Sequence, residues 1–184
     1  MIKISPSILN VNNSEIENKV KSLDKAGADY THIDVMDGKY VPPKSFGSNT
    51  VKYLRKITDK ILDVHLMVTP VKSSIKEFIE AGSDIISFHP EADKKPIEII
   101  EELNKSRVKS GIAIHPNIKI EEIEKFLPIV KQVIVMTVLP GFGGQKFLSD
   151  QVSKIKKLYE IRRKYKFKYT ISVDGGINDL TAKE

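Results

Sequence analysis

A chain of 184 residues, 40% of them hydrophobic, can bury one substantial core, so a single domain over residues 1–184 is expected. It contains no cysteine, which excludes disulfides and thiolate ligation and leaves any metal to nitrogen and oxygen donors. No apolar run approaches the roughly 18 residues of a membrane span, and no charged-then-apolar leader opens the chain, so the expectation is a soluble cytoplasmic protein with no membrane partner. The net charge of +6 reflects 30 Lys+Arg against 24 Asp+Glu. The lysines are scattered through helix-like stretches such as 153–157 and 162–164, without a helix-turn-helix pattern or basic-aromatic interleaving. They read as solvated faces, and no nucleic-acid partner is expected.

The chain alternates strand-like and helix-like segments. Ile2–Ile8 reads as a first strand, followed by a helix capped at Asn13 or Ser14 and ending near Gly27. A second strand spans Tyr30–Val35, and a loop rich in Gly and Pro runs from Asp37 to Gly47. Asn49–Ile57 is predicted helical, Ile61–Val68 is strand three, and Val71–Ala81 is a helix stopped by Gly82. Strand four is Ile85–His89, then come helix Lys95–Lys105, strand five Gly111–His115 and the short helix Ile120–Leu127. Strand six is Gln132–Val138, helix Ser149–Lys164 follows, and strand seven is Tyr169–Asp174.

Strands interleaved with helices through short connections predict a parallel sheet. The near-constant length of each unit favours a (β/α)8 TIM barrel over a doubly wound sheet, and the Gly-x-Gly-x-x-Gly turn of a dinucleotide fold is absent. The pattern stops at Glu184, inside what reads as the seventh helix. The expectation is therefore a barrel with its last β/α unit missing, two open sheet edges, and a fragment that alone is aggregation-prone and inactive.

Residues two apart on a strand share a face. His32, Asp34 and Met36 fall in phase, as do His65 and Met67, Ile134 and Met136, and Ser172 and Asp174. In a barrel these faces point inward and converge at one mouth. His32, Asp34, His65 and Asp174 can thus meet around one ion, and two imidazoles with two carboxylates suit Zn²⁺, Fe²⁺, Mn²⁺ or Co²⁺ better than Ca²⁺ or Mg²⁺. A metal on a carbonyl oxygen stabilises an enediolate, and two carboxylates on opposite sides of a substrate can remove a proton from one face and return it to the other. That chemistry is epimerisation. Met36, Met67 and Met136 are either barrel filling or a water-excluding cap over the site. His89 and His115 also end strands, but without a carboxylate in phase, and are read as structural or peripheral. Gly141-Phe142-Gly143-Gly144 and Gly175-Gly176 follow strands six and seven, where barrel enzymes often hold a phosphate against backbone N–H groups.

Five segments resemble the ribulose-phosphate 3-epimerase family: residues 5–9, 32–38, 63–68, Met136 with 140–145, and 173–178, in family order over almost the whole chain. The resemblance implies a ribulose-phosphate-binding barrel that interconverts D-ribulose 5-phosphate and D-xylulose 5-phosphate, and a homo-oligomer for the full-length protein. It implies His32, Asp34, His65 and Asp174 as metal ligands, with Asp34 as proton acceptor and Asp174 as donor. Ser7 and His65 would contact the phosphorylated ketose, and residues 141–144 with Gly175-Gly176 would hold its phosphate end. Pro43 and the His115-Pro116 pair depart from the family pattern. A 3-epimerase of allulose 6-phosphate would share these catalytic residues. The decarboxylases of the same superfamily would carry a lysine where Met36 stands.

Overall fold

Short β-branched runs interleaved with helical segments favour a parallel sheet, and these runs form one. In the computed structural model, which describes residues 2–183, the strands are β1 (Tyr30–Met36), β2 (Ile61–Met67), β3 (Ile85–Phe88), β4 (Lys109–Ile114), β5 (Gln132–Met136) and β6 (Thr170–Asp174). They lie in sequence order, each paired in parallel with the next. The helices are α1 (Ile16–Lys25), α2 (Ser48–Leu54), α3 (Ile75–Glu80), α4 (Pro96–Lys105), α5 (Ile120–Ile123) and α6 (Val152–Tyr165). Among the described residues no helix is long and apolar enough to cross a membrane.

The predicted strand phase separates two cores. Ile33, Val35, Val64, Leu66, Ile86, Phe88, Ile112, Ile114, Val133 and Val135 join helix residues such as Val20, Leu54, Phe78, Ile99 and Leu158 in one large cluster. Their in-phase alternates form two smaller clusters on the other face, Met36–Val41–Met67 and Ala113–Ile134–Met136–Val138. The period-2 pattern of each strand thus sends one set of side chains to the helices and the other to the inner face.

The segment 2–8 departs from the sequence reading. It lies beside β1 but forms only one isolated parallel bridge, Ser7 to His32, and is not a strand. Its contacts include His32 N–H donating to Pro6 O at 3.0 Å and Ile8 N–H donating to His32 O at 3.2 Å. Pro6 has no N–H to continue the ladder, and Ile2 and Ile4 are exposed, so no inward face holds the outer half in register.

Helix ends differ more modestly. Residues 13–15 make a 3₁₀ turn before α1, and neither Asn13 nor Ser14 caps the helix with its side chain. The short helix after strand five is split into α5 and a 3₁₀ turn at Glu124–Phe126, just ahead of Pro128, which disfavours helix in the preceding residue. At its start the Glu122 carboxylate accepts from the Lys119 N–H at 2.8 Å.

Candidate active site

The inner residues of β1 and β2 are locked by their register. His32 stands opposite Asp63, Asp34 opposite His65, and Met36 opposite Met67; across the sheet Met136 stands opposite Asp174. Ligand atoms of His32, Asp34, His65 and Asp174 all lie within 4.8 Å of one another. Asp34 Oδ1 is 3.4 Å from both His32 Nε2 and His65 Nδ1, and Asp174 Oδ2 is 3.7 Å from His32 Nε2 and 3.4 Å from His65 Nδ1.

Those two ring nitrogens, His32 Nε2 and His65 Nδ1, are buried and have no hydrogen-bond partner. A buried polar atom without a partner is costly unless something else satisfies it. Here both face a common point between two carboxylates, so the four residues fit a divalent cation in donor type, charge and convergence.

The electrostatics follow from this crowding. Burial alone would lower the pKa of the His32 imidazole, but the Asp34 and Asp63 carboxylates hold it well above the ordinary value. His65 is likewise raised against its burial by Asp174 and Asp34. Burial pushes the Asp34 carboxyl upward, yet the two imidazoles beside it draw it well below the usual carboxylate range.

The opposite edge of each imidazole is held from behind. His32 Nδ1 donates to Asp63 Oδ2 at 2.9 Å, which turns Nε2 toward the centre. Asp63 is itself buried and accepts from Gln132 Nε2 at 2.8 Å, while the same Gln132 nitrogen lies 3.3 Å from Ser87 Oγ. This polar layer needs Gly111, where a Cβ would fall 2.1 Å from Ser87 Oγ. On the other imidazole, His65 Nε2 meets His89 Nε2 at 3.0 Å. His89 is fully buried, with its pKa lowered by that burial to about 4. His89, read as having no carboxylate in phase on its strand, has one beyond the strand: Glu91, in the turn after β3, brings Oε1 to 3.5 Å from His89 Nδ1. Glu91 follows His89 at the same two-residue spacing as Asp34 follows His32, but Pro90 starts a 3₁₀ turn, so Glu91 lies beyond the strand to which the spacing was applied.

The remaining predicted residues divide into groups. Ser7 Oγ donates to Asp34 Oδ2 at 2.6 Å, at the centre itself. Met36 and Met67 pack together with Val41, whereas Met136 belongs to the cluster on the β4–β5 side. Gly144 and Gly176 line a cavity of about 440 Å³ with Gln145, Lys146, Phe147, Ser149, Ile177, Asn178 and Thr181. Gly141, Phe142 and Gly143 stand outside that lining; Gly141 is placed against Val41, Gly143 against Asn10, and Phe142 is exposed. Gly175 has no room for a side chain, since a Cβ would lie 2.3 Å from Val138 Cγ2. Gly176 has φ +68° and a Cβ there would lie 2.7 Å from the Phe147 backbone nitrogen. Sequence reasoning did not single out Gln145, whose Nε2 donates to Leu139 O at 2.6 Å and Phe142 O at 2.7 Å and so ties the glycine loop together.

A sequential parallel β/α sheet with convergent ionisable groups at its C-terminal rim is the arrangement of barrel-type metabolic enzymes. Residues 3–184 match the ribulose-phosphate 3 epimerase family. The chain is 41% identical to the ribulose-phosphate 3-epimerase of Bacillus subtilis, over 99% of this chain and 84% of that protein. It is 41% identical to the enzyme of the same name from Methanocaldococcus jannaschii, over 99% of this chain and 77% of that protein. The chain belongs to the ribulose-phosphate 3-epimerase family and is an isomerase of pentose phosphate metabolism. In fold it is similar to the crystal structure of KGPDC from Streptococcus mutans, with a TM-score of 0.70 at 19% identity, over 98% of this chain and 81% of that one.

Proposed function

We propose that the His32–Asp34–His65–Asp174 centre holds one divalent transition metal (Zn, Fe, Mn or Co) and epimerises D-ribulose 5-phosphate and D-xylulose 5-phosphate by proton transfer between two carboxylates. The observation that carries this reading is the pair of buried, partnerless imidazole nitrogens aimed between Asp34 and Asp174. Bound there, the metal supplies Lewis-acid stabilisation of the negative charge that develops on the substrate's oxygens when its α-proton leaves.

The chain's own residues do the rest. Asp34 divides its two oxygens: Oδ1 faces the imidazoles, and Oδ2 accepts from Ser7 Oγ at 2.6 Å. Asp174 Oδ2 faces the same imidazoles, which leaves its other oxygen to reach a substrate lying between the two carboxylates. Asp34 takes the proton from one face of the carbon and Asp174 delivers one to the other face, inverting the centre; the roles exchange in the reverse direction. Ser7 holds Asp34 in orientation and lies within reach of the substrate's hydroxyls. Met36, Met67 and Met136 are buried and line the inner face with side chains that exclude water without competing for the proton. The phosphate sits against the glycine loops, in the cavity lined by Gly144 and Gly176, with Lys146 supplying positive charge. The same reading extends to architecture: β1–β6 and the segment 2–8 are staves of a ribulose-phosphate-binding (β/α)8 barrel, supported by the sequential parallel order.

The test is stripping and reloading. Exhaustive chelation is expected to abolish epimerisation and loss of the substrate α-proton to deuterated solvent, and one equivalent of Co²⁺, Zn²⁺, Mn²⁺ or Fe²⁺ to restore both. Full activity in metal-free protein would overturn the proposal.

A further inference from the structure

Behind His65 lies a chain of groups that the proton transfer does not use, running from the buried His89 to the solvent-facing Glu91 and the half-buried Tyr40. His65 Nε2 is 3.0 Å from His89 Nε2, His89 Nδ1 is 3.5 Å from Glu91 Oε1, and the Tyr40 hydroxyl donates to that same Glu91 oxygen at 2.9 Å. The Tyr40 ring also lies over His89, with centroids 4.8 Å apart. Tyr40 comes from the loop between β1 and α2, His65 from β2, and His89 and Glu91 from the end of β3. Three separate strand-end segments therefore converge on one imidazole.

Lone-pair pairing at His65 and the charge of Glu91 give this chain a direction. Two imidazole nitrogens in contact need one N–H and one lone pair between them. The Glu91 carboxylate, 3.5 Å from His89 Nδ1, makes no hydrogen bond to it, but its negative charge favours the N–H at that nitrogen. The neutral ring then presents a bare Nε2, and His65 must donate to it from its own Nε2. His65 Nδ1 is thereby turned toward Asp34 and Asp174. The Tyr40 hydroxyl, donating to Glu91, holds the carboxylate in its charged, accepting form.

We propose that His89, Glu91 and Tyr40 are a positioning relay that sets which ring nitrogen of His65 faces the centre, and that through Tyr40 the β1–α2 loop is part of that setting. The relay parallels the Asp63 contact behind His32 but differs in kind. One ligand is oriented directly by a carboxylate, the other by a neutral imidazole with the carboxylate one step further out. Metal-ligating imidazoles are commonly oriented through their second nitrogen, and losing that partner typically costs about 10–100-fold in metal affinity. The same loop is anchored a second time where Ser45 Oγ donates to Asp34 O at 2.5 Å and accepts from Met36 N–H at 2.9 Å.

The relay rests on the metal-centre reading, but part of its test does not. In long-range ¹⁵N spectra of the metal-free full chain, His89 is expected to carry its proton on Nδ1 and none on Nε2, with His65 protonated at Nε2. A proton on His89 Nε2 overturns the relay whether or not a metal binds. With Co²⁺ as probe, His89→Phe is expected to weaken binding about 10–100-fold and to change the visible absorption of the bound ion. His89→Gln, which can still accept from His65, is expected to recover most of that loss, and Tyr40→Phe to weaken binding less than His89→Phe. Co²⁺ binding by His89→Phe as tight as by the unaltered chain overturns the proposal. Failure of the unaltered chain to bind Co²⁺ would instead remove the metal-centre reading, and the ¹⁵N spectra would still decide the relay.

Discussion

On the β1–β2 side of the centre, His32, Asp34 and His65 are buried, paired across one register from Tyr30–Ile61 to Met36–Met67, and gripped from behind by Asp63 and His89. On the β6 side, Asp174 projects from a strand whose residues are half-buried or exposed, with its side chain 23% accessible against 0% for His65. Beyond it lie a pair of glycines at positive φ and the exposed side chains of Ile177 and Leu180. The first region is over-determined by packing and hydrogen bonds; the second is open, and its glycine backbone is the surface proposed to face the phosphate. The contrast teaches that the centre draws three of its groups from buried, doubly held strands and the fourth from a more exposed strand at the sheet edge.

Paired substitutions separate the two halves. Asp34→Asn and Asp174→Asn are each expected to lower kcat for epimerisation by about 10²–10⁴-fold, the scale of a positioned acid–base group. They should differ in stability. Asp34→Asn removes a buried charge from beside two buried imidazoles and weakens the Ser7 contact, so thermal denaturation should show a loss on the order of 1–3 kcal/mol. Asp174→Asn, at the margin, should leave the melting temperature nearly unchanged. Equal melting losses in the two variants would erase the distinction between the halves.

The partner behind His32 gives a smaller effect. Asp63→Asn is expected to weaken Co²⁺ binding about 10–100-fold, read by competition with a chelator, with kcat recovered at saturating metal. The pH dependence has a definite sign. In the metal-free chain His32 and His65 hold protons above the ordinary histidine pKa, and a cation must displace them. Affinity should therefore fall as pH falls, with proton release on binding in weakly buffered solution; affinity that rises toward acid would contradict the ligand set.

On the glycine side the expected effects fall on folding and substrate affinity rather than on the metal centre. Gly176→Ala combines φ +68° with a Cβ 2.7 Å from backbone, and is expected to cost about 1–3 kcal/mol and to raise KM for the phosphorylated substrate. Gly144→Ala has φ +73° but open space around the new methyl, so the expected cost is the conformational one alone, about 1 kcal/mol. Urea denaturation of both variants would rank them.

Much of the buried half was legible because strands report their own phase. His32, Asp34 and Met36 could be assigned to one face from spacing alone, as could His65 with Met67, and the helix-facing cluster of Ile33, Val35, Val64 and Leu66 follows from the same count. Where local rules compete, the reading was less exact. Ile2–Ile8 has the composition of a strand, but Pro6 breaks the donor ladder and Ile2 and Ile4 find nothing to pack against. The glycine loop was read as one unit, yet only Gly144 of its four residues lines the cavity beside Gly176, because the path of a loop depends on what it rests on.

The amino-acid sequence by itself determined the α/β alternation, the two faces of each strand and the chemical identity of the groups at the strand ends, because these depend only on local periodicity and composition. Tertiary structure alone decided that Asp63 lies behind His32, that His89 and Glu91 lie behind His65, and that Tyr40 reaches across from the β1–α2 loop. Those contacts join residues far apart in the chain and hang on register, turn geometry and burial, where a shift of one residue along a strand would exchange a partner for a clash.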